Sequence, residues 1–250
     1  MKKIKIFVFF LFLLTNLNSF ANDIEFNEWK KEFKLTALEK GISLETIEST
    51  INNSIFLKNV IKYDRYQPEF YEDTKTYISK RTSNKKINLG KKIYNINKDI
   101  IDNISKQYSV DKDLLLSLMG IETNFGNYLG KMDIISSLAT LSYDKRRSEF
   151  FTSELITLLI LFDKGVVNPN NYLGSWAGAY GNFQFMPSTI KNYAIDYNND
   201  KSIDLKNIED SFASAANYLK KLGWKNKEPC FYKVELSKQI PHKYLNTSAK

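Results

Sequence analysis

Histidine and cysteine are almost missing from this chain: its 250 residues hold one of each, His242 and Cys230. A single histidine leaves no room for a zinc site built on several imidazoles, and no triad or Cys-His motif surrounds it. His242, near the end of the chain, is expected on the solvated surface. One cysteine permits no internal disulfide, so packing must hold the fold even in an oxidising compartment. No glycine-rich phosphate loop follows a strand-like run, which removes the usual cradle for nucleotide chemistry. Long hydrophobic runs are lacking too. The longest, Ile6–Leu14, has nine residues, against roughly 20 for a bilayer span.

That run follows Lys2, Lys3 and Lys5 and precedes Ser19-Phe20-Ala21, with small residues at −3 and −1 of a cleavage point. The pattern reads as a secretory signal cut after Ala21, with a short membrane anchor as the alternative. Cys230 is far from the cut, so no lipid can be attached to a new N-terminal cysteine. A periplasmic protein of residues 22–250, without a stable membrane anchor, is expected. The leader carries three of the formal +8 charges, which leaves +5 spread along the chain. An exported, mildly basic protein suits a polyanionic wall better than nucleic acid, for which no basic-aromatic signature is present.

The rest reads as mostly helical, without an internal repeat. Phe26, Trp29, Phe33, Ala37 and Leu38 recur at helical spacing before Gly41, and Ser43 is placed to cap "SLETIESTI". Pro68 breaks an aromatic and polar stretch, and one helical pattern runs from Ile87 to Tyr108. Asp111 or Asp113 starts the next helix, Asp133 caps another, and Phe150–Phe162 is a long apolar one. In "GSWAGAYGNFQFMPS" three glycines and two alanines let backbone approach a ligand or another segment. Pro187 suits a first helical turn. A last helix is expected over Asp210–Leu222, and "CFYKVEL" alternates like a short strand.

In "LLLSLMGIETNFG", Leu114–Gly126, the leucines and Met119 form an apolar stripe, and the 3.6-residue period puts Glu122 in its middle, facing inward. An unpartnered charge there costs several kcal/mol. Apolar neighbours and the negative end of its own helix would raise its pKa. A carboxylic acid still protonated near neutral pH is what glycosidic cleavage needs for the departing oxygen. A structural glutamate bonded to a buried partner such as an arginine is an equal alternative on spacing alone.

"GIETNFGNYLGKMDIISSLATLSYDKRRSEFF", then "GSWAGAYGNFQFMPSTIKNYAIDYNND…ANYLKKLGW", closely resembles the lytic murein transglycosylase B family over Phe26 to Trp224. The resemblance implies a mainly α protein: an N-terminal helical lobe (22–85), a lysozyme-like core (86–235) with a short C-terminal β element, and a polar tail (236–250). It implies cleavage of the MurNAc–GlcNAc β-1,4 bond of peptidoglycan without water or cofactor, on glycan strands and in company with wall-synthesis or division proteins. By motif position Glu122 falls on the catalytic acid, Ser175, Gln184 and Phe185 on the sugar subsites, Arg146 and Arg147 on a basic pair near the glycan or its stem, and Tyr77 on a cleft tyrosine. Ser175 would orient the MurNAc acetamido group; a loop serine bonding backbone is the alternative. The absence of an obvious second carboxylate fits single-acid chemistry better than ordinary hydrolysis. A wall-binding protein without turnover and a true muramidase are the rival readings.

In "DYNNDKSIDLKNIED", Asp196, Asn198, Asp200 and Ser202 take positions 1, 3, 5 and 7 of a calcium loop, with Lys201 where position 6 prefers glycine. The family closes its longer loop with an acid at position 15, here Asp210. A weak structural Ca²⁺ site is expected, with a metal-free polar turn as the alternative. Family members also continue well past the segment that is Gly223-Trp224 here, where 26 residues follow. That implies a more open cleft, or a wall supplied by a partner.

Overall fold

The computed structural model describes residues 24–66, 73–170 and 172–229, with isolated positions beyond them. The leader, Cys230, His242 and most of the strand-like "CFYKVEL" lie outside the described residues. Helix α1 spans 24–39 and ends before Gly41, whose φ of +79° turns the chain. Ser43 then caps α2 (Leu44–Thr50), its hydroxyl accepting the Thr46 N–H as the sequence predicts. Helices α3 (Lys58–Arg65) and α4 (Thr74–Arg81) flank the Pro68 segment.

The expected run from Ile87 to Tyr108 is two helices, α5 (Asn84–Ile96) and α6 (Lys98–Tyr108). Asn97 interrupts it at φ −115°, ψ 27°, and its side-chain amide returns to the Ile93 carbonyl at 2.9 Å. Asparagine competes with the helix through such local bonds, while the apolar spacing continues across the break. Helix α7 (Lys112–Thr123) starts at Asp111.

Strand β1 (Met132–Asp133) leads into α8 (Ile134–Tyr143), capped by Asp133 through the Ser136 N–H at 2.8 Å. Every residue of α8 from Ile134 to Ser142 is buried, and α9 (Ser148–Asp163) packs along it as the centre of the fold. Two polar members of this helix are used: Ser136 and Thr140 accept the Ile55 and Leu57 N–H groups at 3.1 and 3.0 Å. Phe26, Trp29, Phe56 and Tyr143 interlock where α1 meets the end of α8. A buried Phe such as Phe26 contributes about 1.5–3 kcal/mol.

Strand β2 (Leu173–Gly174) pairs antiparallel with β1, Met132 opposite Gly174. Helix α10 (Pro187–Tyr193) begins with Pro187, and buried Glu154 of α9 caps it by accepting the Ser188 N–H and hydroxyl at 2.8 and 2.7 Å. Helix α11 is Ile208–Lys221, starting two residues before the expected Asp210. Asn207 is the cap, accepting the Asp210 N–H at 2.8 Å.

Candidate active site

The buried face of α7 is Leu115, Met119, Gly120 and Thr123. Glu122 is exposed, which corrects its expected inward placement. In projection it lies only about 20° from Leu115, but at this end of α7 the buried side runs through Met119, Gly120 and Thr123, and Glu122 stands about 100° from Thr123.

The chain leaves α7 through three consecutive left-handed residues: Asn124 (φ +50°), Phe125 (+59°) and Gly126 (+80°). Thr123, fully buried, anchors this end: its hydroxyl lies 2.9 Å from the Asn182 carbonyl and accepts the Gly126 N–H at 3.0 Å. Asn182 in turn bonds the Leu205 carbonyl through its N–H and the Ser211 hydroxyl through its amide. Thr123 and Asn182 therefore tie the glutamate's helix to the glycine-rich segment and α11. Neither stood out in the sequence; the one available signal was a threonine directly beside the glutamate.

Glu122 faces an open cleft of about 450 Å³ between the end of α7 and the α4–α5 junction. Lys80, Arg81, Lys85 and Lys86 line the opposite lip, and Lys86 reaches the Gly120 carbonyl at 3.4 Å. Among the described residues lining the cleft, Glu122 is the only carboxylate. Although open to solvent, it loses enough water to the cleft walls to raise its pKa above the ordinary 4.5, burial being the cause.

Ser175 follows β2, whose partner β1 continues from the loop after Glu122. Its hydroxyl accepts the Ala179 N–H at 2.9 Å, which leaves the O–H proton to donate. Gly174 has no room for a side chain, since a Cβ there would meet the Ala179 carbonyl oxygen at 2.2 Å. The glycine-rich segment is thus folded closely on itself. Gln184, at φ +52°, donates to the Gly181 and Leu129 carbonyls at 2.9 and 3.4 Å. Phe185 is only 6 % exposed, its ring edge-on to Tyr218. It supports the wall from inside rather than presenting a face to a sugar.

Arg146 and Arg147 both donate to the Asp64 carboxylate, as does Arg65, and Asp64 is 1 % exposed. One buried acid thus gathers three guanidiniums and joins α3 to the α8–α9 turn. Tyr63 beside it packs on Trp176, bringing this cluster against the Ser175 loop. Tyr77, in α4, lies under the Arg81 guanidinium at 3.8 Å from the ring centre.

In the acidic loop, Asp196 accepts the Asp200 and Lys201 N–H groups, Asn198 accepts that of Asp200, and Asp200 accepts that of Ser202. Asp210, fully buried, accepts from Tyr197 and Asp204. Lys201 takes the left-handed φ (+73°) that position 6 requires, glycine or not. All-oxygen donors on such a backbone fit a hard cation. Among the described residues, no three acidic side chains are already gathered as a metal-ligand group.

A family model for the transglycosylase SLT domain matches residues 25–250. The chain belongs to this family. Over 132 residues it is 39 % identical to membrane-bound lytic murein transglycosylase B of Escherichia coli K12, covering 52 % of this chain and 37 % of that protein. The structure of SltB3 from Pseudomonas aeruginosa, in complex with NAG-NAM-pentapeptide, matches with a TM-score of 0.78 at 34 % identity, over 82 % of this chain and 55 % of SltB3. The Escherichia coli lytic transglycosylase Slt35, in complex with calcium, matches at 0.71 and 29 %, over 84 % of this chain and 66 % of Slt35. The mainly helical, lysozyme-like architecture expected from the sequence is that of these relatives. The chain spans little more than a third of the curated relative and about half of SltB3. Among the described residues, no helix is long and apolar enough to cross a membrane.

Proposed function

We propose that this SLT domain is a peptidoglycan lytic transglycosylase in which Glu122 serves first as acid and then as base. The observation that carries the reading is a single carboxylate in the cleft, held at a raised pKa by burial. Glu122 gives its proton to the GlcNAc O4 as the bond from MurNAc C1 breaks, and the 2-acetamido oxygen of MurNAc assists at C1. The Glu122 carboxylate then takes the proton of the MurNAc C6 hydroxyl, whose oxygen bonds C1. The products are a 1,6-anhydro ring and a reprotonated acid, with no water consumed. A two-carboxylate hydrolase needs a second acid across the bond, and the described cleft lining offers none. Ser175, whose hydroxyl proton remains available, orients the acetamido group. Gln184 shapes the sugar wall, with Phe185 behind it. Arg146, Arg147 and Tyr77 flank the path of the glycan and its stem.

The substrate is the wall polymer, in line with the NAG-NAM-pentapeptide bound by SltB3, and residues 1–21 direct export to the periplasm. Asp196, Asn198, Asp200 and Asp210 by side chain, and Ser202 by its carbonyl, would hold a Ca²⁺ that braces the loop against α11 and takes no part in bond cleavage. Digesting purified sacculi and scoring the soluble ends tests the reading: non-reducing 1,6-anhydro ends support it, and reducing MurNAc ends overturn it.

A further inference from the structure

Phe125 stands three residues after Glu122, in a left-handed backbone (φ +59°) that an aromatic residue rarely adopts. The strain has a visible purpose. The ring is directed back between two helices, against Gly90 of α5 and Gly120 of α7. A Cβ built on Gly90 would lie 2.8 Å from the ring Cζ, and one built on Gly120 only 2.7 Å. Any side chain at either position would displace the ring, so both glycines are seats for it.

The ring is also not simply core. It is half-buried, and beside it lies a largely apolar cavity of about 390 Å³, lined among others by Ile87, Leu116 and Ile121. Removing backbone strain by Asn or Gly at this position would be easy if only a turn were needed. The ring joins the two walls of the cleft: α7 carries Glu122, two residues after Gly120, and α5 carries Lys85 and Lys86. The Lys86 reach to the Gly120 carbonyl crosses the same junction.

We infer that Phe125 is a positioning residue for Glu122: wedged between Gly90 and Gly120, it registers α7 against α5 and so fixes where the carboxylate stands in the cleft. The inference rests on the reading of Glu122 as the reacting acid. A displacement of the order of 1 Å can cost about 10²-fold in rate, so a loosened wedge acts on turnover more than on grip. The burial that raises the pKa of Glu122 would be relaxed with it.

The test uses Phe125→Leu, Phe125→Ala and Gly120→Ala, each assayed well below its melting temperature. Gly120→Ala approaches the ring from the helix side, and alanine is itself the better helix former. Phe125→Leu keeps most of the apolar volume should Phe125→Ala fail to fold. The expected result is a fall in kcat of about 10- to 100-fold, with KM and sacculus binding within about twofold of wild type. Carbon-13 NMR titration, with Glu122 assigned by comparison with Glu122→Gln, should show its pKa dropping toward the ordinary carboxylate value in the wedge variants. Folded variants with a lowered melting temperature but unchanged kcat and unchanged titration would overturn the inference and leave Phe125 as packing. If wild type releases no product, the functional reading falls, and the titration still decides the wedge.

Discussion

Thr123 and Glu122 are consecutive, and the last turn of α7 sends them opposite ways: Thr123 is fully buried with its hydroxyl 2.9 Å from the Asn182 carbonyl, while Glu122 opens into the cleft. One residue fastens the helix end and the next uses it. Thr123→Val keeps the shape and strips the hydroxyl, leaving the Gly126 N–H without its partner. A loss of about 1–3 kcal/mol is expected, read as a lower urea midpoint at unchanged slope. An unchanged midpoint would show that the Asn182 link carries no load.

Glu122→Gln should leave stability equal or higher at neutral pH and cut cleavage by at least about 10²-fold, the lower end of what a general acid contributes. The raised pKa fixes the sign. Ionising Glu122 costs the folded state more than the unfolded one, so the penalty is absent well below the ordinary 4.5, where both states are protonated. It is fully present once pH exceeds the raised folded value. Any gain in melting temperature of the variant should therefore appear at neutral pH and vanish in acid. A gain that persists in acid would assign it to packing.

Buried Asp64 is predicted to contribute measurably to stability through its three arginines. Asp64→Ala removes the shared acceptor of Arg146 and Arg147, whose side chains are 43 % and 38 % exposed and can turn to water. A cost of about 1–3 kcal/mol is expected from the lost charged hydrogen bonds. Thermal or urea unfolding measures it directly, and a variant within about 0.5 kcal/mol of wild type, the range of ordinary surface changes, would refute the structural weight given to this cluster.

The loop separates two roles for its acids. Millimolar Ca²⁺ should raise the melting temperature of wild type through linkage, and Asp200→Ala should abolish that rise while cleavage at low temperature persists. Asp210→Ala should destabilise the protein even in chelator, because Asp210 is buried and accepts the Tyr197 and Asp204 N–H groups. A wild-type melting curve indifferent to Ca²⁺ would remove the metal from the account.

What the sequence made legible was local. Asp133 and Ser43 as caps, Pro187 at a first turn and the long apolar α9 all follow from neighbours in the chain. What it hid was the course of a buried face and distant partners. The leucine pattern of α7 put Glu122 in the buried stripe, whereas at that end of the helix the stripe runs through Met119, Gly120 and Thr123. Arg146 and Arg147 fall by motif on a basic pair near the glycan or its stem, and nothing in the sequence pairs them with Asp64, 82 and 83 residues away. Strands β1 and β2 are two residues each, too short for alternation to register. Phe185 falls by motif on a sugar subsite and Phe125 carries no signal of its own; only the fold shows one buried in the wall and the other between two glycines.

The central claim is that the sugar's own C6 hydroxyl, delivered by Glu122, replaces water at C1. Digesting sacculi in heavy-oxygen water, followed by mass spectrometry of the soluble muropeptides, tests it most directly. The account predicts anhydro-muropeptides one water lighter than hydrolytic products, without solvent oxygen at C1, and their loss in Glu122→Gln. Muropeptides with a reducing end and one heavy oxygen at C1 would contradict it.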